Sequence, residues 1–170
     1  MQAASSSMAG EQLPTIERWR VALSAADVRF WLRGGWAIDF LIGRVTRTHE
    51  DVDAVTWQRH RRRLREALTA AGFRVVRETE KQVDFEERGV DVTFVFLTRD
   101  GEGRIVTHAI PEWTWRPDAL PPAWRELDGV ACRVVSARQL LKEKEGDPRP
   151  RRPKDAESIA ALRRLVGARC

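Results

Sequence analysis

The feature that most constrains this chain is a pair of adjacent glycines set between two short ordered runs. Residues 30–32, Phe-Trp-Leu, are apolar and strand-like. Gly34 and Gly35 follow, and residues 36–42 then take helical spacing up to Gly43. Adjacent glycines at such a junction allow close backbone approach and leave free N–H groups at a helix start, which favours a phosphate. Taken alone, the pair fits a tight turn better than a phosphate site. Sixteen residues further on comes Asp-Val-Asp-Ala-Val-Thr, residues 51–56, where acidic and apolar residues alternate before the run turns aliphatic. A strand of this kind opens at one end onto a polar site, with Asp51 and Asp53 on the same face.

The remaining periodicities predict an α+β fold, a mixed sheet with flanking helices. Helical spacing covers residues 13–28 and 58–71, and extended runs cover 74–78, 82–88 and 90–97 with Gly89 as a turn. In the last run Val90, Val92, Phe94 and Phe96 point one way and Asp91, Thr93 and Val95 the other, so Asp91 is a carboxylate on an otherwise apolar strand. Asp84 competes with it, but its acidic neighbours fit a surface strand or an acceptor-binding rim. Residues 104–110 read as a strand, 111–122 as an irregular segment with Trp113 and Trp115, and 126–135 as a hairpin turning at Asp128-Gly129. Ser136 and Gln139 form a capping box that opens a helix ending at Gly146, and residues 155–166 resume helical spacing. This divides the chain into a polar, disordered leader over 1–12, a core over 13–135, and C-terminal helices over 136–170 packed on that core.

Two carboxylates on one strand and a third on a neighbour make a hard oxygen-ligand site, better suited to Mg²⁺ than to Zn²⁺. A phosphate cradle beside such a site is what phosphoryl transfer requires, since the protein's task is to align the reactants and neutralise charge. The formal net charge of +5 favours polyanionic partners, although much of it lies in two runs, 59–65 and 149–154, that also read as solvated faces. No apolar run approaches the roughly 20 residues of a membrane span. Cys132 and Cys170 have no metal-site spacing, and so few cysteines fit a reducing, cytoplasmic setting.

The run GGWAIDFLIGRVTRTHEDVDAVTW, residues 34–57, resembles the signature of the aminoglycoside 2″-O-nucleotidyltransferases and the lincosamide nucleotidyltransferases, within the polymerase-β-like superfamily. The resemblance implies that fold, a nucleoside triphosphate donor and two Mg²⁺ ions. Asp51 and Asp53 become paired metal ligands, and Asp91 becomes a third ligand placed to take the proton from the acceptor hydroxyl. Gly34 and Gly35 would contact the triphosphate. Arg44, Arg47 and His49 fall in the loop where a cation would face the departing pyrophosphate, His49 being alternatively a hydrogen-bonded structural partner. The segment RRPKDAESIAAL resembles the ending that closes the cleft in related enzymes, with Lys154, and by extension Lys142 and Lys144, either plain surface lysines or within reach of a phosphate. Asp39 is read as a solvent or capping carboxylate. The tryptophans Trp113, Trp115 and Trp124 would stack on a base or sugar, or serve the core. The implied partner is a hydroxyl-bearing small molecule such as an aminoglycoside or lincosamide, in antibiotic resistance, with Glu50, Asp84, Glu86, Glu87 and Glu112 available for a cationic acceptor. RNA or a protein hydroxyl as acceptor, or nucleotide binding without turnover, are the alternatives.

Overall fold

The computed structural model describes residues 2–168, with side chains from Gln12 onward. Strand β2 (Val52–Trp57) is the axis of the main sheet. Strand β1 (Phe30–Arg33) pairs with it antiparallel on one side, and β5 (Val90–Arg99) pairs with it parallel on the other. Beyond β5 lie β4 (Gln82–Glu87) and β3 (Arg74–Glu78), so the order is β1-β2-β5-β4-β3. The far end of β5 also pairs with β6 (Ile105–Thr107), which carries β7 (Ile110–Thr114). A parallel pair needs a crossover. Here it consists of a 3₁₀ turn, Gln58–His60, helix α3 (Arg61–Ala70) and the β3–β4 hairpin. A second, two-stranded sheet, β8 (Trp124–Leu127) and β9 (Val130–Arg133), turns at Asp128 and Gly129, both at positive φ as a primed hairpin turn demands.

One face of the main sheet is covered by α1 (Gln2–Ala25) and α3. The Trp19 ring stacks on Phe30 at 5.1 Å and meets Phe94 edge-on at 4.6 Å, while Phe85 meets Phe94 at 6.1 Å. Leu64 and Leu68 of α3 are buried with them. Each such large apolar side chain contributes roughly 1.5–3 kcal/mol on burial, so this face anchors the sheet and leaves the opposite one for polar work. At the open end of β2, helices α2 (Gly34–Ile42), α4 (Ala137–Gly146) and α5 (Pro153–Gly167) pack against one another.

Three local expectations are revised. Helix α1 starts at Gln2, inside the stretch read as a leader, where Ala, Met, Gln and Glu favour helix. Strand β7 occupies part of the segment read as irregular, and Pro111 is tolerated there because β7 lies at the end of the pairing path. Only half of the capping box forms. Ser136 Oγ accepts from Gln139 N at 3.2 Å, but the Gln139 side chain instead accepts from Arg116 N at 2.8 Å and donates to Glu143 at 3.3 Å. No helix among the described residues is long and apolar enough to cross a membrane.

Candidate active site

Strand register builds the site. The parallel pairing sets Val52 opposite Val92 and Asp53 opposite Thr93. Paired residues share a face, so Asp51, at the mouth of β2, stands beside Asp91. The antiparallel partners add Asp84 opposite Thr93, Glu86 opposite Asp91 and Arg33 opposite Asp53. The result is one acidic face, with Asp51 and Asp91 exposed and Asp53 half-buried. Asp84 belongs to the same face, but its Oδ1 accepts from Thr93 Oγ1 and from Gln82 Nε2, both at 2.9 Å.

Two of these carboxylates, Asp51 and Asp53, resist ionisation. Burial pushes Asp53 up to about 6, with Asp51, Glu143 and Asp84 adding to the rise and Arg33 opposing it. Asp51 is also raised, by desolvation and then by Glu50 and Asp91, against Lys154 and His49. Crowded, desolvated carboxylates are a donor set that a hard cation relieves. Among the described residues no three His, Cys, Asp or Glu side chains make a group able to hold a metal by themselves. This still fits Mg²⁺, which characteristically takes one or two carboxylates and completes its shell with water and substrate phosphates.

Beside Asp53 the chain enters α2. Gly34 has φ +69°, and a Cβ there would lie 3.1 Å from Asp53 Oδ2. A Cβ on Gly35 would lie 2.6 Å from Cε1 of the His49 ring, closer still to Nδ1, and 3.3 Å from Arg47 Nη2. The glycines are thus required by what crowds them. The residue at the helix N-cap, Arg33, makes no side-chain capping bond, so side-chain capping does not satisfy the first N–H groups of α2. Arg47 Nη2 reaches Ser158 Oγ of α5 at 3.4 Å, whereas its Nη1 is buried with no partner among the described residues. An orphaned guanidinium N–H at an uncapped helix start is a ready position for an anionic oxygen. Gly35→Ala should force His49 and Arg47 aside. We expect nucleotide affinity to fall by about 10-fold or more, together with about 1–3 kcal/mol of stability, checked by calorimetric titration and thermal melts; unchanged affinity would detach this loop from the nucleotide.

His49 is buried and turned inward, its Nε2 2.5 Å from Asp39 Oδ2. Asp39 is correspondingly not a solvent carboxylate but fully buried, and its Oδ1 accepts from Thr46 Oγ1 at 2.5 Å. Of the other loop cations Arg44 is exposed. Lys154 Nζ lies 3.7 Å from Glu50, close enough to the acidic face for its charge to act on Asp51. Lys144 pairs with Asp155 at 3.1 Å and Lys142 donates to the Thr114 carbonyl at 2.8 Å. The suggested acidic pocket is not assembled as a whole. Glu87 faces α1, bonded to Arg18 at 2.5 Å, and Glu112 is exposed on β7, leaving Asp84 and Glu86 on the carboxylate face. Trp115 is buried, with the Arg33 guanidinium 5.8 Å from its ring centre, while Trp113 and Trp124 are exposed. In the first arginine run Arg61 and Arg65 pair with Glu78 and Arg62 with Glu66.

Sequence reasoning passed over Arg33 and Glu143, which meet at 3.1 Å beside Asp53. The one local signal was the position of Arg33 immediately before Gly34.

Known proteins resemble this chain in sequence and in fold. A 2″-aminoglycoside nucleotidyltransferase of Escherichia coli is 43% identical over 61 residues, 34% of each chain. A lincosamide resistance protein of Staphylococcus haemolyticus is 30% identical over 89 residues, 50% of this chain and 53% of that one. The aligned stretches thus span a third to a half of these curated relatives. Among solved structures, the crystal structure of ANT(2″)-Ia in complex with adenylyl-2″-tobramycin superposes with TM-score 0.76 at 24% identity, covering 94% of this chain and 91% of that one. The lincomycin-bound lincosamide antibiotic adenylyltransferase LnuA superposes with TM-score 0.67 at 20% identity, covering 84% and 90%. These likenesses share the mixed-sheet nucleotidyltransferase fold. The family model for aminoglycoside-2″-adenylyltransferases matches residues 17–159, most of the sequence, and the chain belongs to that family.

Proposed function

We propose that this protein transfers a nucleoside monophosphate, AMP by family, from a nucleoside triphosphate to a hydroxyl of an aminoglycoside or lincosamide antibiotic and releases pyrophosphate. The observation that carries this reading is the register of β2 against β5, with Asp51 and Asp53 alongside Asp91 and next to an uncapped helix start. Asp51, Asp53 and Asp91 are the residues that would hold Mg²⁺, one or two of them to an ion, with water and the triphosphate completing its shell. Bound with the triphosphate, the ion supplies charge neutralisation on the phosphate oxygens. The acceptor oxygen attacks the α-phosphorus, a new P–O bond forms, and the bond to the bridging oxygen of the β-phosphate breaks. Asp91, exposed at its strand end, accepts the acceptor's proton. Arg47 and the first N–H groups of α2 take up charge on the departing pyrophosphate.

The test is pyrophosphate release from each of the four ribonucleoside triphosphates with Mg²⁺, against aminoglycosides, lincosamides and bulk RNA. Release with ATP and one antibiotic class is expected; release with RNA alone would replace the proposed acceptor, and no release with any of them would refute it. Asp91→Asn should lower the rate by about 10²–10⁴ while nucleotide affinity changes far less, because a proton acceptor acts mainly in the transition state. Collapse of nucleotide binding in that variant would make Asp91 an anchor rather than a base.

A further inference from the structure

We infer that the Arg33–Glu143 pair sets how strongly the acidic face takes up a divalent cation, Arg33 acting as a built-in countercharge to Asp53 and Glu143 holding that countercharge in check. The inference rests on the nucleotidyltransferase reading above. Arg33 ends β1 directly opposite Asp53 in the ladder, which fixes the origin of its side chain on the carboxylate face. Its Nε donates to Glu143 Oε2 at 3.1 Å, and the two side chains are only 30% and 21% exposed. Glu143 is itself braced. Its Oε1 accepts from Gln139 Nε2, and Gln139 Oε1 accepts from the Arg116 backbone N–H. The guanidinium is therefore gripped by α4 on one side and lies near the Trp115 ring on another.

Both charges stand at the carboxylate face, Arg33 by its place opposite Asp53 in the ladder and Glu143 through its bond to Arg33. Arginine does not lose its charge at any working pH, so it competes permanently with a metal ion for the same carboxylate. With Glu143 present the pair is close to neutral and Asp53 stays available. Without Glu143, the charge of Arg33 is left facing Asp53 across the ladder. Arg33 and Glu143 are thus positioning residues, acting through Asp53 and not on the substrate.

The discriminating measurement is the Mn²⁺ concentration giving half-maximal binding of α,β-methylene-ATP, a non-cleavable analogue, with bound Mn²⁺ counted by electron paramagnetic resonance. Glu143→Gln should raise this midpoint by about fivefold and Arg33→Met should lower it by about fivefold, the size expected for one charge at short range in a high effective dielectric. Arg33→Lys, which keeps the charge, and the double variant R33M/E143M should both stay within about twofold of the parent, the double because the charge changes cancel. Shifts of the same sign in the two single variants would mean that the pair is a structural brace and would overturn the inference. Should Arg33→Met fail to fold, Glu143→Gln still decides, since it retains an acceptor for Gln139; an unchanged or lowered midpoint there refutes the idea. Absence of Mn²⁺-dependent analogue binding in the parent protein would instead refute the nucleotidyltransferase reading.

Discussion

Asp53→Asn should abolish turnover and at the same time make the protein harder to melt. Loss of a charged ligand from a phosphoryl-transfer site removes stabilisation that developing charge depends on, and a fall of about 10³-fold or more is expected. The stability effect follows from the carboxyl itself. It titrates near 3.8 in an unfolded chain but is pushed up to about 6 in the folded protein. The folded state therefore binds this proton more tightly, its relative stability declines as pH rises from about 4 to about 6, and the loss is complete above that range. The shift corresponds to about 3 kcal/mol at neutral pH, or roughly 6–12 °C in a protein of this size. Calorimetry without divalent cations should show Asp53→Asn melting above the parent at pH 7.5 and level with it at pH 4. Retained turnover would remove Asp53 from the metal set, and an unchanged melting temperature at pH 7.5 would show that its carboxylate is not under strain.

The second large effect is expected at a residue that need not touch any substrate. Asp39 is fully buried, and both of its oxygens are in use, one by Thr46 and one by His49. The chain of bonds continues outward. The His49 carbonyl accepts from Gln12 Nε2 at 2.8 Å, Gln12 Oε1 accepts from Trp36 Nε1 at 2.9 Å, and the Trp36 ring lies 4.7 Å from that of His49. This network ties α1, α2 and the loop before β2 into one piece, and Arg47 rides on that loop. Asp39→Ala would leave His49 and Thr46 without their shared acceptor and open a polar void, at a cost of about 3 kcal/mol. A fall of about 6–12 °C in melting temperature is expected, with weakened nucleotide binding as Arg47 loses its fixed place, and Asp39→Asn should lie between the two. A loss below about 1 kcal/mol in Asp39→Ala would show that the loop is held by packing alone.

Which features were legible in the sequence follows from how far apart the partners lie. Gly34, Gly35, Asp51 and Asp53 announce themselves because turn, helix start and acidic strand are each local patterns, and the alternation around Asp91 marks the strand that joins them. Asp39 was misread because a carboxylate in a short helix defaults to solvent, and nothing local reveals that Thr46 and His49 fold back onto it. Glu87 was grouped with an acidic pocket although the two-residue period of β4 sends it to the α1 side, where Arg18 awaits it. Arg33 and Glu143 stand 110 positions apart, so their pairing has no signature in either neighbourhood. β7 escapes the sequence because Pro and two exposed aromatic or acidic side chains mask a strand that pairs with β6 at the end of the sheet path.

The parallel pairing of β2 with β5 also has a kinetic consequence. Antiparallel neighbours can zip from a short turn, but these two strands meet only after α3 and the whole β3–β4 hairpin have been laid down between them. Non-local pairing of this kind is slow to form. During synthesis Asp51 and Asp53 emerge well before Asp91, with β1 as the sole earlier partner for their strand. A chain paused between Gln82 and Val90 would thus expose the unpaired edge of β2, an apolar template for association with other chains. The step that completes the acidic face is the same step that hides this edge, so variants that slow β5 docking should lose soluble yield before they lose specific activity.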